Sequence, residues 1–283
     1  VHPTPLLSLD NTYNEEELNE FDARVRKILG HDSFSYLVEL KFDGASIRLR
    51  YERGALVLGA TRGDGQRGDD ITKNIRTIQD IPLFLEGNPP AVVEVRGEAF
   101  MEKEAFARLN NYREEAGLSV FANPRNSTAG SLKMQDPKEV ARRPIRFFAF
   151  DLLFEDGIDR NQDQKLALIK KYGLPANEFP TLCESIEQVH KTIEVLDQIR
   201  HELPYETDGV VIKVNEEALR EQLGSTSKFP RWAIAYKFQA EQAITRINEI
   251  SLQVGRLGPF PPFAELEPVF LAGTTVKSAS LHN

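Results

Sequence analysis

Three lysines in strand-like surroundings carry the most chemical information in this chain. They are Lys41 in Lys41-Phe-Asp-Gly44, Lys213 at the end of Asp208-Gly-Val-Val-Ile-Lys213, and Lys237 in Ala235-Tyr-Lys-Phe238. A lysine amine attacks phosphorus only in its neutral form, so a nucleophilic lysine needs burial or nearby cations to shed its proton. Lys213 lies in Val-Val-Ile-Lys-Val and Lys237 in Ile-Ala-Tyr-Lys-Phe. A cation among such neighbours is costly unless its charge is used or its head reaches water. Covalent nucleotide transfer needs this set: one lysine to carry the nucleotide and others to neutralise its phosphates. Gly44, just beyond Asp43, would let the backbone approach a ligand closely.

Two further motifs add polar groups of the right kind. Arg62-Gly-Asp-Gly65 sets a guanidinium in a glycine-bounded loop suited to a phosphate or ribose. Glu94-Val-Arg-Gly-Glu98 is read as a strand ending in a carboxylate, suited to a ribose hydroxyl or a hydrated metal ion. Each lysine alone could equally be a strand-edge residue of amphipathic character; their joint occurrence favours the chemical reading.

These groups need a scaffold, and the chain is long enough to supply one. It has 283 residues, 41% of them hydrophobic, which allows one large domain or a domain plus a smaller piece. The single cysteine, Cys183, excludes an internal disulfide framework or a cysteine-rich zinc site and points to a reducing compartment. No apolar run is long enough to cross a bilayer, so no membrane partner is expected. The net charge of -8 argues against a general nucleic-acid coat, yet residues 123–146 hold six Lys/Arg against two acidic residues. Local fields decide what a cleft attracts, so a phosphate-binding face remains open, as does an ordinary solvated surface. The opening at Val1 and the close just after a strand-like stretch are expected of a piece of a longer protein.

Asn14 and Glu17 predict a capped helix with Leu18, Phe21, Val25 and Ile28 on one face, ended by Gly30. Strands are predicted at Tyr36–Lys41, Ala45–Tyr51, Ala55–Thr61, Ala91–Val95, Ile145–Phe154, Gly209–Val214 and Ala233–Phe238. Helices are expected at 102–116, 162–171, 185–201 and Glu216–Leu223, and loops at 63–70 and 119–136. Without a regular βαβ beat, a mixed or antiparallel α+β core is expected. From about 247 the pattern changes to short strands, at Ile247–Val254, Glu267–Phe270 and Thr275–Ala279, around a Gly/Pro-rich turn through 255–262.

The chain resembles the nucleotidyltransferase (adenylation) domain of bacterial NAD-dependent DNA ligases over about residues 4–245. Residues 246–283 resemble the opening of the OB-fold that follows it. The resemblance is carried by Leu7-Ser-Leu-Asp10, Glu39-Leu-Lys-Phe-Asp-Gly44, Thr61-Arg-Gly-Asp-Gly65 and Val95-Arg-Gly-Glu98. It continues in Asn123-Pro-Arg-Asn-Ser-Thr-Ala-Gly-Ser-Leu132, Asp208-Gly-Val-Val-Ile-Lys213 and Lys228-Phe-Pro-Arg-Trp-Ala-Ile-Ala-Tyr-Lys-Phe238. The lysine motif is shared with ATP-dependent ligases and capping enzymes, whereas the Asn123–Leu132 and Pro-Arg-Trp blocks belong to the NAD-dependent branch.

The resemblance implies an α+β, ATP-grasp-like nucleotidyltransferase core, mainly antiparallel sheets flanked by helices, over residues 1–245. A truncated OB-fold would occupy 246–283. Lys41 would take AMP from NAD+, with Mg2+ or Mn2+ assisting, and pass it to the 5′-phosphate of nicked double-stranded DNA. Ser8, Leu9, Glu39 and Leu40 would border the adenosine. Asp43 would orient Lys41, Arg62 and Glu98 would meet ribose and phosphate, and Asp208, Lys213 and Lys237 would complete the pocket. Arg125, Lys133, Arg200 and Arg231 match basic positions of the family, while Tyr205 and Trp232 are expected to pack rather than to stack on a base.

By the same resemblance the protein would be a cytoplasmic monomer, with zinc held only in a downstream region absent here. The family's small helical module for the nicotinamide mononucleotide half is also absent, so poor self-adenylation of this piece is expected. Lys133 stands where arginine is usual, and Leu257-Gly-Pro-Phe-Pro-Pro262 replaces a threonine-containing turn. Two other readings remain at this point, an ATP-dependent polynucleotide ligase or capping-type enzyme and a non-catalytic nucleotide- or DNA-binding module.

Overall fold

Strands present successive side chains to opposite faces, and that alternation divides this chain's apolar residues from its reactive ones. The computed structural model describes residues 1–239, 242–252, 262–271 and 274–281. In chain order the elements are β1 (Asp10–Thr12), α1 (Glu15–Leu29), β2 (Tyr36–Phe42), β3 (Ala45–Glu52), β4 (Ala55–Thr61), α2 (Thr72–Ile75), β5 (Val92–Met101) and α3 (Lys103–Glu115). There follow α4 (Pro124–Leu132), α5 (Pro137–Ala141), β6 (Ile145–Phe154), α6 (Gln162–Lys171), β7 (Thr181–Cys183) and α7 (Ile186–Ile199). A 3-10 turn at Arg200–Glu202 leads to β8 (Thr207–Val214), α8 (Glu217–Leu223) and β9 (Ala233–Lys237). Last come β10 (Ile247–Leu252), β11 (Pro262–Leu271) and β12 (Thr274–Ser280). The chain divides into two units, Val1–Phe238 and Gln239–Asn283.

The first unit holds two sheets, ordered β1-β9-β8-β2-β7 and β4-β3-β5-β6. All pairings are antiparallel except β1 with β9, so the mixed, mainly antiparallel core flanked by helices is as expected. One face of the first sheet buries Val38, Leu40 and Phe42 with Val210, Ile212 and Val214, against Leu18, Phe21, Val25 and Leu29 of α1 and Val189 and Ile193 of α7. The second sheet buries Ile47, Leu49, Val93, Val95 and Phe147 against Ile75 and against Leu166 and Ile169 of α6. Each large side chain so buried stabilises the fold by about 1.5–3 kcal/mol relative to exposure. The second unit is an antiparallel β10-β11-β12 meander. No helix among the described residues is long and apolar enough to cross a membrane.

Several local expectations need correcting. On α1 the buried stripe is Leu18, Phe21, Val25 and Leu29, and Ile28 is 43% exposed. A period of 3.6 carries the face from 25 to 29 rather than to 28. The stretch 119–136 is not a loop throughout, because Pro124–Leu132 is a helix with Asn123 accepting the Asn126 N–H at 2.8 Å. Three of its four buried residues, Ser127, Thr128 and Ser131, are small hydroxyl residues whose polarity hides the period, and only Leu132 is apolar. Ser131 Oγ donates to the Ser127 carbonyl at 2.7 Å and Thr128 Oγ1 to the Pro124 carbonyl at 2.9 Å, so they bury without orphaned groups. Strand β5 does not end at Glu98 but runs to Met101, where Met101 pairs with Ile145. The turn expected at 255–262 lies outside the described residues except for Pro262, which opens β11.

Candidate active site

Strand register places two of the three lysines in one row. Lys41 of β2 is opposite Gly209 of β8, which in turn is opposite Lys237 of β9. Cross-strand partners share a face, so both lysines project to the side away from the α1–α7 core. Gly209 leaves the space between them open and is required there, since a Cβ at 209 would lie 2.0 Å from the Tyr236 carbonyl oxygen.

The carboxylate between the lysines comes from a β-bulge. Phe42 pairs with Thr207 and Lys41 with Gly209, so Asp208 is the extra residue of β8 without a partner on β2. A bulge bends the strand and re-aims a side chain. Here it brings Asp208 back toward the lysine row, where its carboxylate lies 3.0 Å from Lys41 Nζ and also accepts from Lys237 Nζ. Further along the same face, Glu39, two residues from Lys41 on β2, and Lys213, four residues from Gly209 on β8, form a buried ion pair at 2.5 Å, and Lys213 Nζ donates to the Phe150 carbonyl at 3.3 Å. Burial raises the Glu39 carboxyl above its ordinary value while Lys213 opposes that rise.

Asp43 and Gly44 are the two residues that carry the chain from the first sheet to the second. The crossing is tight, for a Cβ on Gly44 would stand 2.1 Å from the Ala99 carbonyl oxygen. Asp43 is held by its N–H on the Glu206 carbonyl and by Arg125 Nη1 at 3.1 Å, from the first turn of α4. The second sheet supplies Glu98, which accepts from Ser46 Oγ at 2.6 Å across the β3–β5 pair. Together these elements enclose a cleft of about 560 Å³, lined by Ser8, Leu9, Leu40, Lys41, Lys213 and Lys237 and by Arg62, Glu98 and Arg125.

Not every expected residue lines the cleft: Asp43 and Asp208 do not, and touch it only through Arg125 and through Lys41 and Lys237. Arg200 pairs with Asp197 at 2.6 Å and lies over the Phe238 ring, and it is not among the cleft-lining residues. Arg231 donates to the Leu223 carbonyl at 3.4 Å, and Lys133 pairs with Asp69 at 2.8 Å; neither lines the cleft. Tyr205 packs against Phe42, Phe100 and Phe148. Trp232 lines the cleft with the Arg220 guanidinium 4.4 Å from its ring centre, a cation–π contact that sequence reading did not foresee. Also unforeseen are Thr4 to Leu7, Arg96, Phe150, Asp151 and Gln162 on the cleft wall. For Arg96 and Asp151 a signal existed, since each is a charge inside an alternating apolar strand; for Thr4 to Leu7 none did.

Of the cleft-lining carboxylates among the described residues, Glu39 and Asp151 have lysine partners, at 2.5 and 3.4 Å, and Glu98 has none. Burial pushes the Glu98 carboxyl up from an ordinary 4.5 to about 7, with Ser46 and Lys41 pulling it back. A raised acid binds a proton in the fold that the unfolded chain releases, so stability falls as pH rises from 4.5 to 7. The full cost is about 3 kcal/mol. Glu98→Gln should therefore be more stable than the parent by about 1–3 kcal/mol at pH 8, with little difference at pH 5. Urea unfolding at both values measures this, and equal stabilities at pH 8 would refute the assignment. No group of three or more His, Cys, Asp or Glu suited to a metal exists among the described residues. Among the described residues Glu98 is the one cleft-lining carboxylate without a lysine partner, an oxygen donor of the kind a hydrated hard cation would share with phosphates.

Residues 1–241 match the family model of the NAD-dependent DNA ligase adenylation domain, and residues 244–283 match that of the NAD-dependent DNA ligase OB-fold domain. The DNA ligase of Shouchella clausii is 50% identical over 284 residues, covering 100% of this chain and 42% of the relative. That of Thermotoga neapolitana is 50% identical over 283 residues, covering 100% and 40%. The chain thus spans about two fifths of the length of these curated relatives. A solved structure titled "Pmar-Lig_PreS3" has a TM-score of 0.51 at 13% identity, covering 97% of this chain and 56% of that one, a likeness of fold alone.

Proposed function

The chain belongs to the NAD-dependent DNA ligase family through its adenylation domain, and from that premise we propose that Lys41 forms a covalent bond to AMP taken from NAD. The observation that carries this reading is that Lys41 and Lys237, which both line the cleft, converge on the carboxylate of Asp208 beside it. The Lys41 amine attacks the α-phosphorus, a P–N bond forms, and the P–O bond to nicotinamide mononucleotide breaks. The leaving group departs with the bridging oxygen as its phosphate, and the amine proton passes to water through Asp208, the nearest acceptor. Lys213 and Lys237 offset the charge that builds on the phosphorane oxygens, where preorganised cations act most strongly. Magnesium, held in the way Glu98 allows, would add charge neutralisation at the same phosphate.

Ser8, Leu9, Glu39 and Leu40 flank the adenosine in this reading, with Glu98 and Arg62 toward ribose and phosphate. AMP then passes to the 5′-phosphate of nicked duplex DNA, and a 3′-hydroxyl displaces it to seal the strand. Residues 1–245 form the nucleotidyltransferase domain and 246–283 the opening of an OB-fold. The protein works as a monomer in the cytoplasm. The test uses a full-length ligase carrying this chain, incubated with Mg2+ and either NAD or ATP and then weighed intact. An AMP adduct from NAD and none from ATP is expected; an adduct from ATP alone would move the protein to the other branch, and no adduct from either would leave a binding module.

A further inference from the structure

The first nine residues precede any strand, yet Thr4, Pro5, Leu6, Leu7, Ser8 and Leu9 all line the cleft. A segment without strand or helix of its own holds one conformation only where other groups tie it down. Two backbone hydrogen bonds to the Arg62 loop do so in part, from His2 N–H to the Gln66 carbonyl at 2.8 Å and from Leu6 N–H to the Gly65 carbonyl at 2.9 Å. The rest of the tether is a relay of buried side chains.

His2 is 5% exposed and Arg48 is 2% exposed. Arg48 Nη1 lies 3.1 Å from His2 Nδ1, and His2 Nε2 lies 3.1 Å from the Arg62 carbonyl oxygen. A guanidinium only donates and a carbonyl only accepts, so Nδ1 must accept and Nε2 must carry the proton. Arg48 Nε is 3.1 Å from Glu94 Oε2, and Glu94 Oε1 is 3.6 Å from Arg96 Nε. Arg96 Nη2 then returns to the same segment, donating to the Thr4 carbonyl at 3.1 Å. The relay thus begins and ends on residues 2–4 and runs through the second sheet between.

This arrangement is expensive. Arg48 and Arg96 are direct cross-strand partners on β3 and β5, and like charges so placed repel. Burial holds the Arg48 guanidinium below its ordinary value, with Glu94 opposing. An apolar pair would stabilise the sheet at least as well. What the arginines add is a rigid grip on a cleft wall that has no strand of its own.

We infer that His2 is a positioning residue for the nucleotide: through Arg48, Glu94 and Arg96 it fixes the segment Thr4–Leu9 and the Arg62 loop together as one preformed wall. The inference rests on the cleft being a nucleotide site. Its worth lies in preorganisation, because a wall that must be ordered on binding subtracts that ordering from affinity.

Trp232 is the only tryptophan and lines the cleft, so its fluorescence reports AMP binding directly. His2→Leu keeps the volume and removes both hydrogen bonds, whereas His2→Gln keeps one acceptor and one donor. His2→Leu should weaken AMP binding about tenfold or more, and His2→Gln should stay within about threefold of the parent. His2→Leu also leaves the buried Arg48 Nη1 without its acceptor, so its thermal midpoint should fall by a few degrees, and binding is compared well below that midpoint. Hydrogen exchange without nucleotide gives the independent readout: the Leu6 amide should lose protection in His2→Leu and retain it in His2→Gln. Full protection at Leu6 in His2→Leu, or parent-like AMP binding by that variant, would overturn the inference. If the parent itself bound no AMP, the nucleotide reading would fall, and the exchange result would still decide whether His2 holds the wall.

Discussion

Replacing Lys41 with alanine is expected to abolish the AMP adduct while leaving AMP binding within about tenfold of the parent. The asymmetry follows from what remains in the cleft. Lys213, Lys237, Arg62 and Arg125 still line it, so the phosphate keeps most of its countercharge. No other amine occupies the end of β2 at the point where the chain crosses between sheets, so no nucleophile replaces the lost one. The rate of adduct formation should fall by at least about 10³-fold, the scale on which removing an essential nucleophile acts. Lys41→Arg separates the nucleophile from its charge. A guanidinium keeps the cation but stays protonated, so it too should give no adduct. Intact mass after incubation with NAD reads both variants. An adduct on Lys41→Arg would show that another residue carries the nucleotide and would end the proposal.

How much of this was legible beforehand differs from part to part. Elements with strong alternation or clear caps were predicted nearly to the residue, as with Ile145–Phe154 and Gln162–Lys171. The helix at Pro124–Leu132 was not, because hydroxyl residues that satisfy themselves along the helix make up most of its buried face. The lysines were legible because charge inside an apolar strand is costly and invites explanation. The common row of Lys41 and Lys237 was not, because register depends on pairing between strands roughly 170 residues apart. The Asp208 bulge lies further still from sequence, since nothing local marks Asp208 as the residue skipped by β2. His2 gives no signal at all: a histidine outside any periodic segment becomes meaningful only once Arg48 and the Arg62 carbonyl are seen on either side of it.

The bulge carboxylate should also produce the least intuitive result. Asp208→Asn keeps the shape of the side chain and removes its charge. In the parent, that charge sits against Lys41 and Lys237 and competes with any phosphate for them. Without it both amines are free for the incoming anion, so AMP should bind as tightly as before or more tightly. Adduct formation should nevertheless fall by about 10²–10⁴-fold, the range for losing a positioned proton acceptor. Single-turnover adduct formation and Trp232 fluorescence measure the two effects on the same variant. If both binding and rate fell together, Asp208 would be serving the nucleotide through structure alone. If the rate stayed within tenfold of the parent, the proton would have another way out of the cleft. Opposite movement of affinity and rate is the signature of a carboxylate that holds two lysines apart from the substrate until one of them must react, and the strand bulge is what puts it there.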